Sequence, residues 1–220
     1  MGILKSPHWE TVTPEIKSLL TFIGQQEFSN RFYLAGGTAL ALQMGHRLSV
    51  DLDFFSEKDE VHDRTRYEII KAFESKNCQV IENVDGNLLM LVQNIHVGFF
   101  SYGYKLLQPV QTVEDIAIAA PLDIGLMKLD ALIGRGSRKD FYDVYVISQH
   151  IPLVDLLEAG RKKYPQLRDF AIMAIESMVL FENGERDIQP AMFIGLSWDE
   201  LKKYFIEQAK ALGDQWFDQP

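Results

Sequence analysis

One cysteine, Cys78, occurs among 220 residues, which excludes an internal disulfide and any cysteine-built metal centre. No apolar run approaches the ~20 residues of a membrane span. The first residues, Met-Gly-Ile-Leu-Lys-Ser-Pro-His, lack the apolar core of a signal peptide. The expectation is a cytoplasmic protein with no membrane partner. Positive charge is scarce as well: 22 Lys and Arg stand against 31 Asp and Glu, a net charge of −9. The broad basic field behind non-specific nucleic-acid binding is therefore missing. A local patch such as Arg135-Gly-Ser-Arg-Lys139 is still compatible with RNA. The last gap is local: no Asp or Glu occurs between Gly86 and Val113.

What is present begins with a mixture of element types. Thr13-Pro14-Glu15 is a helix start, followed at helical spacing by Ile16, Leu19, Leu20 and Ile23. Short strands are expected over 32–35 and 48–55, with a short helix between them, and further strands over 79–82, 88–93 and 95–102. Asp85-Gly86 marks a hairpin turn. Residues 57–76 suggest a charged surface helix with Tyr67, Ile69, Ile70 and Phe73 as its apolar stripe. Residues 112–120 read as a connection. From Pro121 the pattern is helical, apart from a polar loop over 182–190. The fold class is α+β: a core with a small mixed sheet over residues 1–120, and a helical half over 121–220 that packs on it.

Between Arg47 and Ser56 apolar and polar residues alternate. Leu48, Val50, Leu52 and Phe54 fall on one side of a half-buried strand, with Ser49, Asp51 and Asp53 on the other. Two carboxylates two residues apart on one face repel unless a cation sits between them, and a hard oxygen pair suits Mg²⁺ or Mn²⁺. Just upstream, Gly36-Gly37-Thr38 forms a glycine turn opening a helix, whose free N–H groups suit phosphate. Phosphate site plus metal site indicates nucleotide chemistry.

A second polar cluster runs from Lys128 to Asp143. Lys128 and Arg135, seven apart, share a helix face, and Asp140 and Asp143 share a face of the next helix. Either these residues brace two neighbouring helices, with Lys139 and Asp143 also spaced to pair, or Lys128 binds a triphosphate whose charge a metal neutralises only in part. Asp123 or Asp143 then helps orient the site. The cluster Arg161-Lys162-Lys163 reads as a solvated helix face.

Leu34-Ala-Gly-Gly-Thr-Ala-Leu followed by His46-Arg47-Leu-Ser-Val-Asp51-Leu-Asp53-Phe-Phe resembles the first motif of the AbiEii/AbiGii-type nucleotidyltransferases. Lys128-x-x-Ala-x-x-x-Arg135-x-x-x-Lys139-Asp140-x-x-Asp143 resembles their downstream motif. The resemblance spans roughly residues 30–150, with a weaker echo at Trp198-Asp-Glu-Leu-Lys. It implies the DNA polymerase β-like nucleotidyltransferase fold, Mg²⁺ and a nucleoside triphosphate (NTP). It also implies a toxin role in type IV-like toxin–antitoxin or abortive-infection systems, with tRNA or another RNA as acceptor in some members and a cognate antitoxin as partner. Carried over by position, it puts Gly36, Gly37 and Thr38 on the phosphates, Asp51 and Asp53 on the metals and Lys128 on the triphosphate. Arg47, Arg135, Lys139, Asp140 and Asp143 match motif positions that support the site or touch substrate.

One departure stands out. Enzymes of this fold often carry a third carboxylate on the strand after the Asp-x-Asp hairpin, and the corresponding segment, Ile95-His-Val-Gly-Phe-Phe-Ser-Tyr, has none. His96 is a poor Mg²⁺ ligand and reads as a surface or satisfied core histidine. Asp123 or Asp143 is then the candidate to stand in from the helical half. Three readings stay open: an NTP-dependent nucleotidyltransferase acting on RNA or protein, a degenerate nucleotidyltransferase-fold binding module without turnover, and an unrelated metal-dependent phosphohydrolase.

Overall fold

Thr13 caps the first helix by accepting the Ile16 backbone N–H at 3.4 Å, while Pro14 fills a first-turn position whose donor has no intrahelical partner. In the computed structural model, which describes residues 2–216, this helix (α1) spans Pro14–Gly24 and buries Ile16, Leu19, Leu20 and Ile23. The chain divides after Ala120 into two compact units. No helix among the described residues is long and apolar enough to cross a membrane.

The first unit is built on one mixed sheet. Its strands are β1 (Gly2–Ile3), β2 (Tyr33–Ala35), β3 (Leu52–Ser56), β4 (Cys78–Val84), β5 (Asn87–Val92), β6 (Ile95–Ser101), β7 (Gln111–Val113) and β8 (Ile116–Ile118). Their spatial order is β1-β7-β8-β2-β3-β6-β5-β4. The central strand β3 runs antiparallel to β2 and parallel to β6. On one face Leu34, Leu52, Phe54, Val97, Phe99 and Ile118 are fully or almost fully buried. Phe99 anchors that face, with the rings of Phe54, Phe32 and Phe28 at 5.0, 5.2 and 5.6 Å. Two further helices complete the unit: α2 (Gly36–Met44) and α3 (Asp63–Phe73).

Several elements depart from the sequence expectation. Strand β3 starts at Leu52, not Leu48. Leu48 and Val50 are 38% and 58% exposed, while Arg47 and Ser49 are buried. The alternation breaks because Ser49 is drawn inward: its N–H donates to the Thr11 carbonyl at 2.9 Å and its hydroxyl meets Thr38 Oγ1 at 2.9 Å. The segment read as a connection over 112–120 folds into the hairpin β7–β8, too short for period-2 patterning to register. On α3, Tyr67 is exposed and Arg66 is buried instead, donating to the Val61 carbonyl and to Asn83 Oδ1, both at 2.6 Å.

The second unit is helical: α4 (Pro121–Gly134), α5 (Arg138–Ser148), α6 (Leu153–Lys163), α7 (Phe170–Ser177), α8 (Glu182–Arg186) and α9 (Trp198–Trp216). Helix α8 occupies the first half of the expected polar loop. Phe141 on α5 joins these elements, with the rings of Phe181, Phe205 and Trp198 at 5.2, 5.3 and 5.5 Å.

Candidate active site

The register of the central strands decides which side chains meet. Asp53 pairs with Ala35 on β2 and with Gly98 on β6, so a carboxylate stands between two residues with little or no side chain. Immediately after Ala35 the chain enters α2 through Gly36, whose φ of +66° lies in the left-handed region. A Cβ added at Gly36 would come within 2.7 Å of Asp53 Oδ2, and one at Gly37 would run into the Arg47 guanidinium. Glycine at both positions therefore lets the helix opening close down on the carboxylate and on Arg47. Arg47 is 4% exposed and donates to the Leu48 carbonyl at 2.9 Å, which holds a positive charge beside the first N–H groups of α2. Thr38 is buried. Its hydroxyl is used within the fold, donating to the Asp51 carbonyl and meeting Ser49, so what Thr38 offers a ligand is backbone.

Asp51 lies one residue before β3, partly exposed, with Oδ1 3.4 Å from His96 Nδ1. His96 is a surface residue, as expected, but its place beside Asp51 was not legible in the sequence. It follows from the parallel register in which Leu52 faces Val97. The donors Asp51 and Asp53 suit a hard divalent cation. Among the described residues no group of three or more His, Cys, Asp or Glu side chains is placed to hold one. A magnesium ion commonly completes its shell with water and substrate phosphate, so the pair fits that ion without a third side chain. The position facing Asp53 on β6 is closed in another way: a Cβ at Gly98 would strike the Phe100 ring, which folds back over that glycine.

The downstream cluster forms a buried ion network within the helical unit. Lys128 Nζ on α4 lies 2.8 Å from Asp140 Oδ1 and 2.7 Å from Asp143 Oδ2 on α5, and all three are buried. Arg135 Nε and Ser137 Oγ donate to Asp140 Oδ2 at 2.8 and 2.6 Å. Burial pushes the Asp140 carboxyl up, but the Lys128 charge and the hydrogen bonds and charge of Arg135 outweigh it and hold the group well below the usual carboxylate range. The bracing of two helices is thus realised, with Lys128 on both Asp140 and Asp143. Lys139 is exposed. Asp123 is fully buried and bonded to Lys163 Nζ at 2.8 Å. Lys163 is accordingly not on a solvated face, as its run of basic neighbours suggested, but is 2% exposed inside the unit.

A carboxylate at the start of a central mixed-sheet strand, closed on by a glycine-opened helix, is the arrangement of the DNA polymerase β-like nucleotidyltransferases, and this chain has that fold. A family model described as "Nucleotidyl transferase AbiEii toxin, Type IV TA system" matches residues 18–87. A protein of Aquifex aeolicus (strain VF5), itself uncharacterised, is 34% identical over 190 residues, covering 82% of this chain and 87% of that one. MenT4, a nucleotidyltransferase toxin from Mycobacterium tuberculosis H37Rv, matches with a TM-score of 0.57 at 15% identity, over 91% of this chain and 82% of its own. A structure from H. pylori assigned to the nucleotidyltransferases gives 0.52 at 15% identity, over 94% of both chains. Residues 18–87 carry the AbiEii nucleotidyltransferase domain, and the chain is an NTP-using transferase.

Proposed function

We propose that the enzyme transfers a nucleoside monophosphate from an NTP to a hydroxyl of an RNA acceptor such as tRNA, in the cytoplasm, as a toxin held in check by a cognate antitoxin. The observation that carries the reading is the contact of Asp53 with the opening of α2, which joins a carboxylate to a phosphate cradle. Asp51 and Asp53 would hold Mg²⁺, or Mn²⁺ in its place. Such an ion supplies charge that neutralises the phosphoryl oxygens. The N–H groups at Gly36, Gly37 and Thr38, with Arg47 beside them, would bind the departing diphosphate portion. The acceptor hydroxyl gives up its proton to solvent as its oxygen forms the new bond to the α-phosphorus, the bond between the α-phosphorus and the bridging oxygen breaks, and pyrophosphate leaves. Lys128 and Asp143 are proposed as further residues that the reaction requires, with Asp123, Arg135, Lys139 and Asp140 in support.

Incorporation of α-labelled NTP into RNA or protein tests this directly. Label is expected in RNA only with Mg²⁺ or Mn²⁺ present, and Asp53→Asn is expected to abolish it. Lys128→Met is expected to weaken NTP binding about tenfold to a hundredfold. Unchanged affinity in a folded variant would assign Lys128 to bracing alone. A second reading, a binding module without turnover, has one observation in its favour: Phe100 over Gly98 where a third carboxylate would stand. NTP binding without any incorporation across RNA and protein acceptors would select it.

A further inference from the structure

Features of the first unit fall in line along β2 and β3. The opening of α2 at Gly36 follows the end of β2, and Asp53, paired with Ala35, comes next. Two residues along the strand, about 7 Å away, Tyr33 and Phe55 pair and stack with ring centroids 6.2 Å apart. Phe100, facing Phe55 from β6, adds a ring at 5.2 Å. At the far ends of these strands lies a cavity of about 510 Å³, walled by Phe32, Tyr33, Leu106 and Val110, with Asn30 at its edge. Its charged lining is balanced, Arg31 and Lys58 against Glu57 and Asp59, and Arg31 Nη1 already donates to Asp59 Oδ2 at 2.9 Å.

The chemistry of that cavity suits a flat, uncharged ring with polar edges. A phosphate would find its cations matched by carboxylates, whereas apolar walls with an amide at the rim suit a heterocycle. The volume is that of a small-molecule site, not of a folded macromolecule. The order along the strands (helix opening, carboxylate, aromatic strip, cavity) follows the order of the parts of an NTP: β- and γ-phosphates, α-phosphate, ribose, base. We propose that the cavity at the Tyr33–Ser56 end of the sheet receives the base of the NTP, with the partly exposed rings of Phe55 and Phe100, backed by the buried Tyr33, beneath its ribose. This rests on the placement of the phosphates under Proposed function. Selection among bases would then lie with Asn30 and the loop carrying Leu106 and Val110, remote from the reacting atoms.

The test compares the four NTPs with inorganic tripolyphosphate, each with Mn²⁺, by calorimetry on the full chain. In the wild type the preferred NTP is expected to bind about tenfold or more tighter than tripolyphosphate. Val110→Trp, which fills the cavity from a loop, is expected to remove that advantage and leave tripolyphosphate affinity unchanged. An NTP-to-tripolyphosphate ratio that survives Val110→Trp overturns the proposal, as does a variant whose only defect is a raised KM for the acceptor. If Val110→Trp does not fold, photo-crosslinking of the wild type with 8-azido-ATP and 5-azido-UTP decides: adducts within 29–33 or 105–111 support the cavity, and adducts elsewhere overturn it. Failure of tripolyphosphate to bind the wild type counts against the phosphate and metal assignment instead, and the crosslink still reports on the cavity.

Discussion

At the scale of single residues, the glycine turn gives the sharpest expectations. Gly36→Ala forces a side chain into the left-handed region and against Asp53 Oδ2. We expect a loss of about 1–2 kcal/mol in stability, seen in the urea midpoint, together with loss of nucleotide transfer. Asp51→Asn and Asp53→Asn should behave differently: Mn²⁺ binding, read by EPR or calorimetry, is expected to vanish while the fold holds, because both side chains are only partly buried and the substitution keeps their shape. Unfolding of either variant would make the pair structural. Gly98→Asp tests the position across from Asp53, which carries no carboxylate and is covered by Phe100. Its Cβ meets the Phe100 ring, so the single variant should lose about 1–3 kcal/mol of stability from overpacking, and only the double variant with Phe100→Ala should gain Mn²⁺ affinity. These residues were legible because short motifs carry their own local geometry, whereas His96 beside Asp51 was not, since cross-strand neighbours depend on register.

At the scale of elements, α4 and α5 are held by charge as well as by apolar packing. Lys128 and Arg135 face Asp140 and Asp143, two cations against two anions, with both carboxylates fully buried. Asp140→Asn leaves Lys128 paired with Asp143, so its expected cost is about 2–3 kcal/mol. Lys163→Met, which leaves the Asp123 carboxylate buried without that ammonium, should cost more, about 3–5 kcal/mol. Chemical denaturation of the two variants checks the ranking. The network also sets a pH dependence. Asp140 has a folded pKa below its unfolded value of about 3.9. Its contribution is thus fully present above that unfolded value and is lost as pH falls through the folded one. Stability should change little on this account between pH 7 and 5 and fall below about pH 4, with the fall reduced in Asp140→Asn. The sequence could pose helix bracing as an option but not choose it, because a spacing of seven on one helix and three on the next says nothing about how the two helices meet.

At the scale of the whole molecule, the net charge of −9 limits how the proposed RNA acceptor could be held. Few phosphates can be neutralised, so log K for RNA should fall with log salt at a shallow slope, about 4 or less in magnitude, and a filter-binding titration across salt concentrations reads it. The composition, the lack of cysteine pairs, the α+β alternation, the strand before the glycine turn and the Asp-x-Asp pair after it were all set by the sequence, because each rests on interactions between residues near one another in the chain. Only the tertiary structure decided that Ser49 and Arg47 turn inward while Val50 turns out, that Phe100 covers Gly98, that Lys163 is buried on Asp123, and that the aromatic strip runs from Asp53 to a cavity. Each of these depends on pairings between residues distant in sequence, where register and packing, not local propensity, determine which side chain is buried and what it meets.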